Sequence, residues 1–427
     1  MLNIYPCAEC DIYPEGAQAF RMEIELYLAR WKKSHPGEDY VFFHIGEPGE
    51  LPPTSVLDEA VKIYRERKKT TLSYQPVDGL LQVREAVAGH LQRSGVSSDK
   101  VSADDIVINV SGKGMMNAAA RALRRPKLVV AVFSPCYPGN GAAANKAHLL
   151  NGQQNYRHGV VGIPIREENN WQPDHKELAA ILKKEKPGLL IICNPQNPTG
   201  GVLDLQAVKP LIDYLIKNPD VMILEDGMYH KFDYSGGKYI PLSLIAQIKN
   251  QVFFIDGASK DLRFTGARIG WIRCPRSQKE VRSAIVRQLN DFISCAPTPE
   301  CLSLIPALSK DGDQEINKFV KMYREKRDLV VAAFAKIGLK ANLPQGAFYL
   351  MLKVKKTTGM KASQFAKFAA EKAGVTVLPA KFFGSGLTDI YGKQLYPLNK
   401  AEEYVRISYV GKIKDMLLGI ERLGKVL

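Results

Sequence analysis

The chain is expected to fold as an α/β protein, with a large domain built on a mostly parallel sheet covered by helices and a smaller α+β domain. Three observations predict this. From about residue 100, short apolar runs alternate with amphipathic helical patterns, as strand–helix–strand units do. After about residue 300 the texture changes to long helical stretches with a few short strands. A length of 427 residues, 45% hydrophobic and 24% charged, suits one large and one small domain. The boundaries are set at 1–50 for an N-terminal arm that joins the small domain, 51–300 for the large domain and 301–427 for the small one.

The strands expected in the large domain are IVINV (106–110), KLVVAVF (127–133), GLLIICN (188–194), VMILED (221–226), VFFID (252–256) and GWIRCP (270–275). They are largely apolar and rich in β-branched residues, which suits a sheet buried on both faces. Between them, LQAVKPLIDYLIKN (205–218) carries apolar residues at helical spacing. In the small domain a helix is expected over 315–337, then the alternating strand AFYLMLKV (347–354) and the helix ASQFAKFAAEKAG (362–374). VTVLPA (375–380) and YVRISYV (404–410) complete it as short strands.

Composition narrows the function classes. The seven cysteines are too few and too scattered for a disulfide scaffold and fit a reducing compartment. Cys7 and Cys10 form a lone C-x-x-C without a second pair, so no metal site is expected. No apolar run is long enough for a membrane span, and the first twenty residues lack the pattern of a secretory signal. A cytoplasmic protein is expected. The formal charge of +15, from 59 Lys and Arg against 44 Asp and Glu, is spread along the chain. Its densest clusters, RERKK (65–69) and KKEK (183–186), read as solvated helix faces rather than a nucleic-acid stripe. Neither a nucleic-acid nor a membrane partner is expected.

Polar signatures follow the apolar runs repeatedly. SGKG (111–114) follows the first, SPCYPG (134–139) the second and NPQNPTGG (194–201) the third. Asp226, with Tyr229 three residues on, follows the fourth, and GASKDLRFTGARIGW (257–271) the fifth. In open α/β sheets ligands gather at the carboxyl ends of strands, so a single ligand site accounts for all five.

In this order N-P-x-N-P-T-G, D-x-x-Y, S-K-x-x-x-x-T-G-x-R-x-G and V-R-I-S resemble the class I/II aminotransferases of pyridoxal 5′-phosphate (PLP) fold type I, the aspartate aminotransferase superfamily. The resemblance runs from about Gly46 to Arg406. It implies PLP as cofactor, held as a Schiff base on Lys260, because the chemistry needs a lysine amine that the substrate amine can displace. Asp226 would keep the pyridine nitrogen protonated. Tyr229 and Asn197 would hydrogen-bond the phenolic oxygen, and Tyr137 would stack on the ring. The phosphate would be met by backbone N–H groups of Gly112 and Lys113, by Ser111 and Ser259, and by the cation of Arg268. Arg406 would clamp the substrate carboxylate, with Gly46 lying over the substrate. The resemblance also implies a homodimer with shared sites, in which Tyr74, from YQPVDGLLQVREA (74–86), reaches the neighbouring subunit's phosphate.

The chain departs from the family pattern at several points. Gly257 stands where many relatives carry a phosphate-binding serine, and Gly49 where the G-E-P stretch usually continues with Asp. Arg263, in the charged run after Lys260, would touch phosphate or substrate, or face a partner. SCAPTPE (294–300) is expected near the wall that selects the side chain.

The function implied is transfer of an amino group between an L-amino acid and a 2-oxo acid by a ping-pong route. A PLP-dependent β-eliminating lyase, of C–S lyase or ACC synthase type, shares every one of these motifs. A DNA-binding regulator on the same fold would need a winged-helix module, and the 45 residues before Gly46 carry no such pattern.

Overall fold

The computed structural model describes residues 17–148, 159–384 and 398–427; the Cys7/Cys10 pair lies outside them. The strands in chain order are β1 (Val41–Phe42), β2 (Ile106–Val110), β3 (Val130–Ser134), β4 (Val160–Arg166), β5 (Gln172–Pro173), β6 (Leu189–Cys193) and β7 (Met222–Asp226). They continue as β8 (Val252–Gly257), β9 (Ile269–Arg273), β10 (Tyr349–Lys353), β11 (Val375–Thr376), β12 (Leu378–Pro379) and β13 (Tyr404–Ser408).

Eight strands form the main sheet in the order β2-β9-β8-β7-β6-β3-β4-β5. Strands β8, β7, β6, β3 and β4 run parallel. Strand β9 runs antiparallel to both β8 and β2. The short link from Gly257 to Ile269 holds no crossover helix, and a parallel return needs one.

Apolar residues point alternately to two cores. Leu189 and Ile191 join one with the helices Gly112–Ala122 and Lys279–Phe292, while Leu190 and Ile192 join another with His175–Glu185 and Lys209–Lys217. Burial on both faces explains why these strands read as continuous apolar runs.

The second body carries a three-stranded antiparallel sheet, β10-β13-β12, packed on the helix Lys310–Lys336 and the helix Ala362–Ala373. The single strand expected over 375–380 is divided: β11 pairs with β1, and β12 pairs with β13. Thr376 Oγ1 lies 2.6 Å from His44 Nδ1 at this junction, so the chain changes partners within three residues. Through β1 and the helix Ala17–Ser34, which packs on Ala362–Ala373, the N-terminal segment joins this second body.

Candidate active site

The topology brings the polar signatures to one edge. Strands β2, β3, β6, β7 and β8 all end there, and β9, running the other way, begins there. This reversal is why Arg268, which precedes β9, meets residues that follow the other strands. All the residues expected at the site except Tyr74 line one cavity of about 380 Å³. That volume suits a cofactor-sized ligand.

At one end of the cavity lies the N-terminus of the helix Gly112–Ala122. Ser111 caps it, its Oγ accepting from Gly114 N at 3.1 Å. Ser111 and Arg268 both have left-handed φ, 56° and 57°, and Ser111 N donates to Arg268 O at 2.8 Å. Two strained residues fastened to each other aim the helix N-terminus and a guanidinium into the same space, an arrangement suited to an anion. The backbones approach so closely that a Cβ on Gly270 would stand 2.3 Å from Gly112 N. At Gly257 a Cβ would lie 2.6 Å from Ile269 O, so the pairing with β9 leaves no room for a side chain there.

Asp226, buried at the end of β7, accepts from Asn140 Nδ2 at 2.9 Å and weakly from Met228 N at 3.4 Å. Burial pushes its pKa up, and the Asn140 hydrogen bond opposes that. Tyr229 OH lies 3.0 Å from Tyr349 OH and 3.4 Å from Asn197 Nδ2. Lys260 Nζ donates to Gly46 O at 2.7 Å. Burial, reinforced by the nearby Arg406 cation, lowers the Lys260 pKa to about 8, so a neutral amine is within reach near physiological pH.

Arg406, in β13, is buried between the rings of Tyr349 and Phe383, its guanidinium carbon 4.3 and 4.8 Å from their centroids. It donates to Asn197 Oδ1 at 3.1 Å and to His44 O at 2.7 Å, while its Nε has no hydrogen-bond partner. Among the described residues no carboxylate pairs with it. A buried, uncompensated guanidinium facing a cavity favours an anionic ligand there.

Two expectations change. Arg263 is tied to Glu315 Oε1 at 2.6 Å and stacked over Phe319, so it faces the helix Lys310–Lys336 and neither the cavity nor solvent. Residues 294–300 do not line the cavity: Ala296 O accepts from Gln75 Nε2 and Thr298 Oγ1 donates to Ser73 O. Tyr74, between Ser73 and Gln75, is 92% exposed. Asn140 and Tyr349, both in the cavity wall, carry no motif that marks them in the sequence. Asn140 sits three residues after Tyr137 at a helix start, and Tyr349 looks like any apolar strand residue.

A convergent lysine, a buried carboxylate and two anion sites, at the carboxyl edge of a largely parallel sheet, define a PLP enzyme of fold type I. The chain belongs to the class I and II aminotransferase family, whose model it matches over residues 38–423, and the family is PLP-dependent. It is 25% identical over 393 residues to a putative aminotransferase of Bacillus subtilis, covering 91% of this chain and 92% of that one. It is 27% identical over 398 residues to an aspartate aminotransferase of Pyrococcus horikoshii, covering 91% of each. The solved structure of aspartate aminotransferase from Thermus thermophilus with maleate superposes with a TM-score of 0.79 at 24% identity, covering 99% of each chain, and shows the same fold. The protein is an aminotransferase.

Proposed function

We propose that this aminotransferase moves the amino group of an L-amino acid to a 2-oxo acid in two half-reactions, with Lys260 as the amine that carries the cofactor. The observation that carries the reading is the Lys260 amine, lowered to about 8, in one cavity with Asp226 and Arg406. PLP, when bound, supplies an aldehyde that takes up the amino group and a protonated ring that draws electrons from the α-carbon. Asp226 holds the proton on that ring. Ser111, Gly112, Lys113, Ser259 and Arg268 hold the phosphate. Tyr229 and Asn197 hold the phenolic oxygen, and Tyr137 packs on the ring.

Arg406 takes the substrate carboxylate at the cavity wall that it shares with Gly46. The neutral Nζ of Lys260 would take the proton from the substrate's α-carbon. The reading carries with it a homodimer in which Tyr74 serves the partner's site, small-molecule substrates and a cytoplasmic location. The five described cysteines are all unpaired, which suits a reducing compartment, and no described helix is long and apolar enough to cross a membrane.

The visible spectrum of the purified enzyme tests this. L-Amino acids should bleach the cofactor band and a 2-oxo acid should restore it. Lys260→Ala should lose the covalent band and at least ~10³-fold in turnover. A band that persists while pyruvate and ammonia accumulate would mean β-elimination instead.

A further inference from the structure

Directly behind the cavity wall lies a second group of chemically capable side chains, and nothing in the proposed reaction uses it. His90, from the helix Leu81–Arg93, His230, from the turn after β7, and Asp256, near the end of β8, are all buried. One ring nitrogen of each histidine and one oxygen of Asp256 lie within 4.8 Å of one another. Asp261, 2% exposed, adds Oδ2 at 3.8 Å from His90 Nε2.

The hydrogen bonds settle what these groups offer. His90 Nδ1 lies 3.0 Å from Asp313 Oδ1, and His230 Nδ1 lies 3.0 Å from Gly227 O. Facing acceptors, both Nδ1 atoms carry the proton, that of His230 also lying 3.6 Å from Asp256 Oδ2, which leaves Nε2 as a lone pair on each ring. His90 Nε2, His230 Nε2, both Asp256 oxygens and Asp261 Oδ2 are buried with no hydrogen-bond partner. Every one of these five atoms is an acceptor when the carboxylates are ionised. A single water donates only two hydrogens, and although burial pushes both carboxyls up, a proton on each satisfies only one neighbour. A divalent cation accepts from the whole set and cancels the two carboxylate charges.

We propose that His90, His230, Asp256 and Asp261 form a binding site for a first-row divalent cation of the zinc class. Two imidazoles with two carboxylates suit zinc or cobalt better than magnesium or calcium. The arrangement includes the outer support that such sites use, since Asp313 holds the His90 ring by its other nitrogen and Gly227 O holds that of His230. Ligand atoms around a tetrahedral ion stand roughly 3.4 Å apart, so His90, His230 and Asp256, whose ligand atoms lie within 4.8 Å of one another, draw together on loading, and Asp261 joins from the His90 side.

The cation would serve as a bolt. Asp256 and Asp261 bracket Lys260, and His230 follows Tyr229, so one ion joins the helix Leu81–Arg93 to the two segments that present the reactive lysine and its tyrosine. That consequence rests on the role proposed for Lys260; the site itself does not. The sequence contains no metal signature because the ligands come from three distant segments, at 90, 230 and 256–261.

The test is metal binding to the whole purified enzyme, read without any activity assay. After dialysis against a chelator, the protein is titrated with Zn²⁺ by calorimetry and with Co²⁺ by its ligand-field spectrum. One equivalent per chain is expected, with a tetrahedral-type cobalt spectrum and a Tm raised by several degrees. His230→Gln and Asp256→Asn should each weaken binding at least ~100-fold, and Asp313→Asn, which loosens the His90 ring as well as the Arg93 and Lys231 pairs, ~10–100-fold. If the ligand variants do not fold, the wild-type stoichiometry and Asp313→Asn still decide. No bound equivalent in the wild type, or equal binding by Asp256→Asn, overturns the site. Either result leaves the cofactor spectrum free to judge Lys260 separately.

Discussion

At the scale of single residues, the site depends on charges placed where water cannot reach them. Lys260 has its pKa lowered first by burial and then by the Arg406 cation, to about 8. The sign follows directly: the amine loses its proton as pH rises through that value. Reconstitution of apoenzyme with PLP should therefore accelerate between about pH 7 and 9 and then level off. Arg406→Ala removes a repelling cation, so the midpoint should move to higher pH, and a stopped-flow pH series would read both. Asn140 supports the ionised form of Asp226 from 2.9 Å. Asn140→Ala should raise the Asp226 pKa further and weaken PLP by about tenfold in a fluorescence titration. Lys260, Asp226 and Arg406 were legible because each sits inside a motif. Asn140 and Tyr349 were not, since they act on residues 86 and 120 positions away.

At the scale of elements, the seam between β9 and the helix Gly112–Ala122 sets the anion pocket. Ser111 and Arg268 hold left-handed backbones against each other, and Gly270 lets the two chains touch. Gly270→Ala would place a methyl group 2.3 Å from Gly112 N. We expect a loss of ~1–3 kcal/mol in urea unfolding, together with weaker PLP binding, because the strand must move away from the helix it supports. An unchanged midpoint and PLP affinity would show that the seam is slack. The sequence contains the G-x-R-x-G pattern, but nothing in it reveals that β9 runs backwards. Strand direction depends on how the link from β8 packs. Periodicity does not carry that information.

At the scale of the whole molecule, the single chain leaves Tyr74 92% exposed while its neighbours Ser73 and Gln75 are fastened to Thr298 and Ala296. A tyrosine held outward on an anchored loop suits the shared site proposed above. Tyr74→Ala and Lys260→Ala homodimers should each be impaired. A refolded mixture should recover up to about half of the wild-type activity per mixed dimer, since one of its two sites is intact. Sedimentation should report a dimer for all three preparations. No recovery from the mixture would mean that each chain works with its own residues alone.

The sequence by itself determined the alternation of apolar strands and amphipathic helices, and with it the α/β class. It also determined the polar residues that follow each strand, and so the family and cofactor. These are local properties: a few consecutive residues decide whether a strand is buried on both faces and what stands at its end. Only the tertiary structure decided the reversal of β9, the pairing of β1 with β11, the inward fastening of Arg263, and the approach of Asn140 and Tyr349. It alone also gathered His90, His230, Asp256 and Asp261 behind the site. Each of these joins segments far apart in the chain through packing and hydrogen bonds. Such contacts impose no period or spacing on the residues that make them.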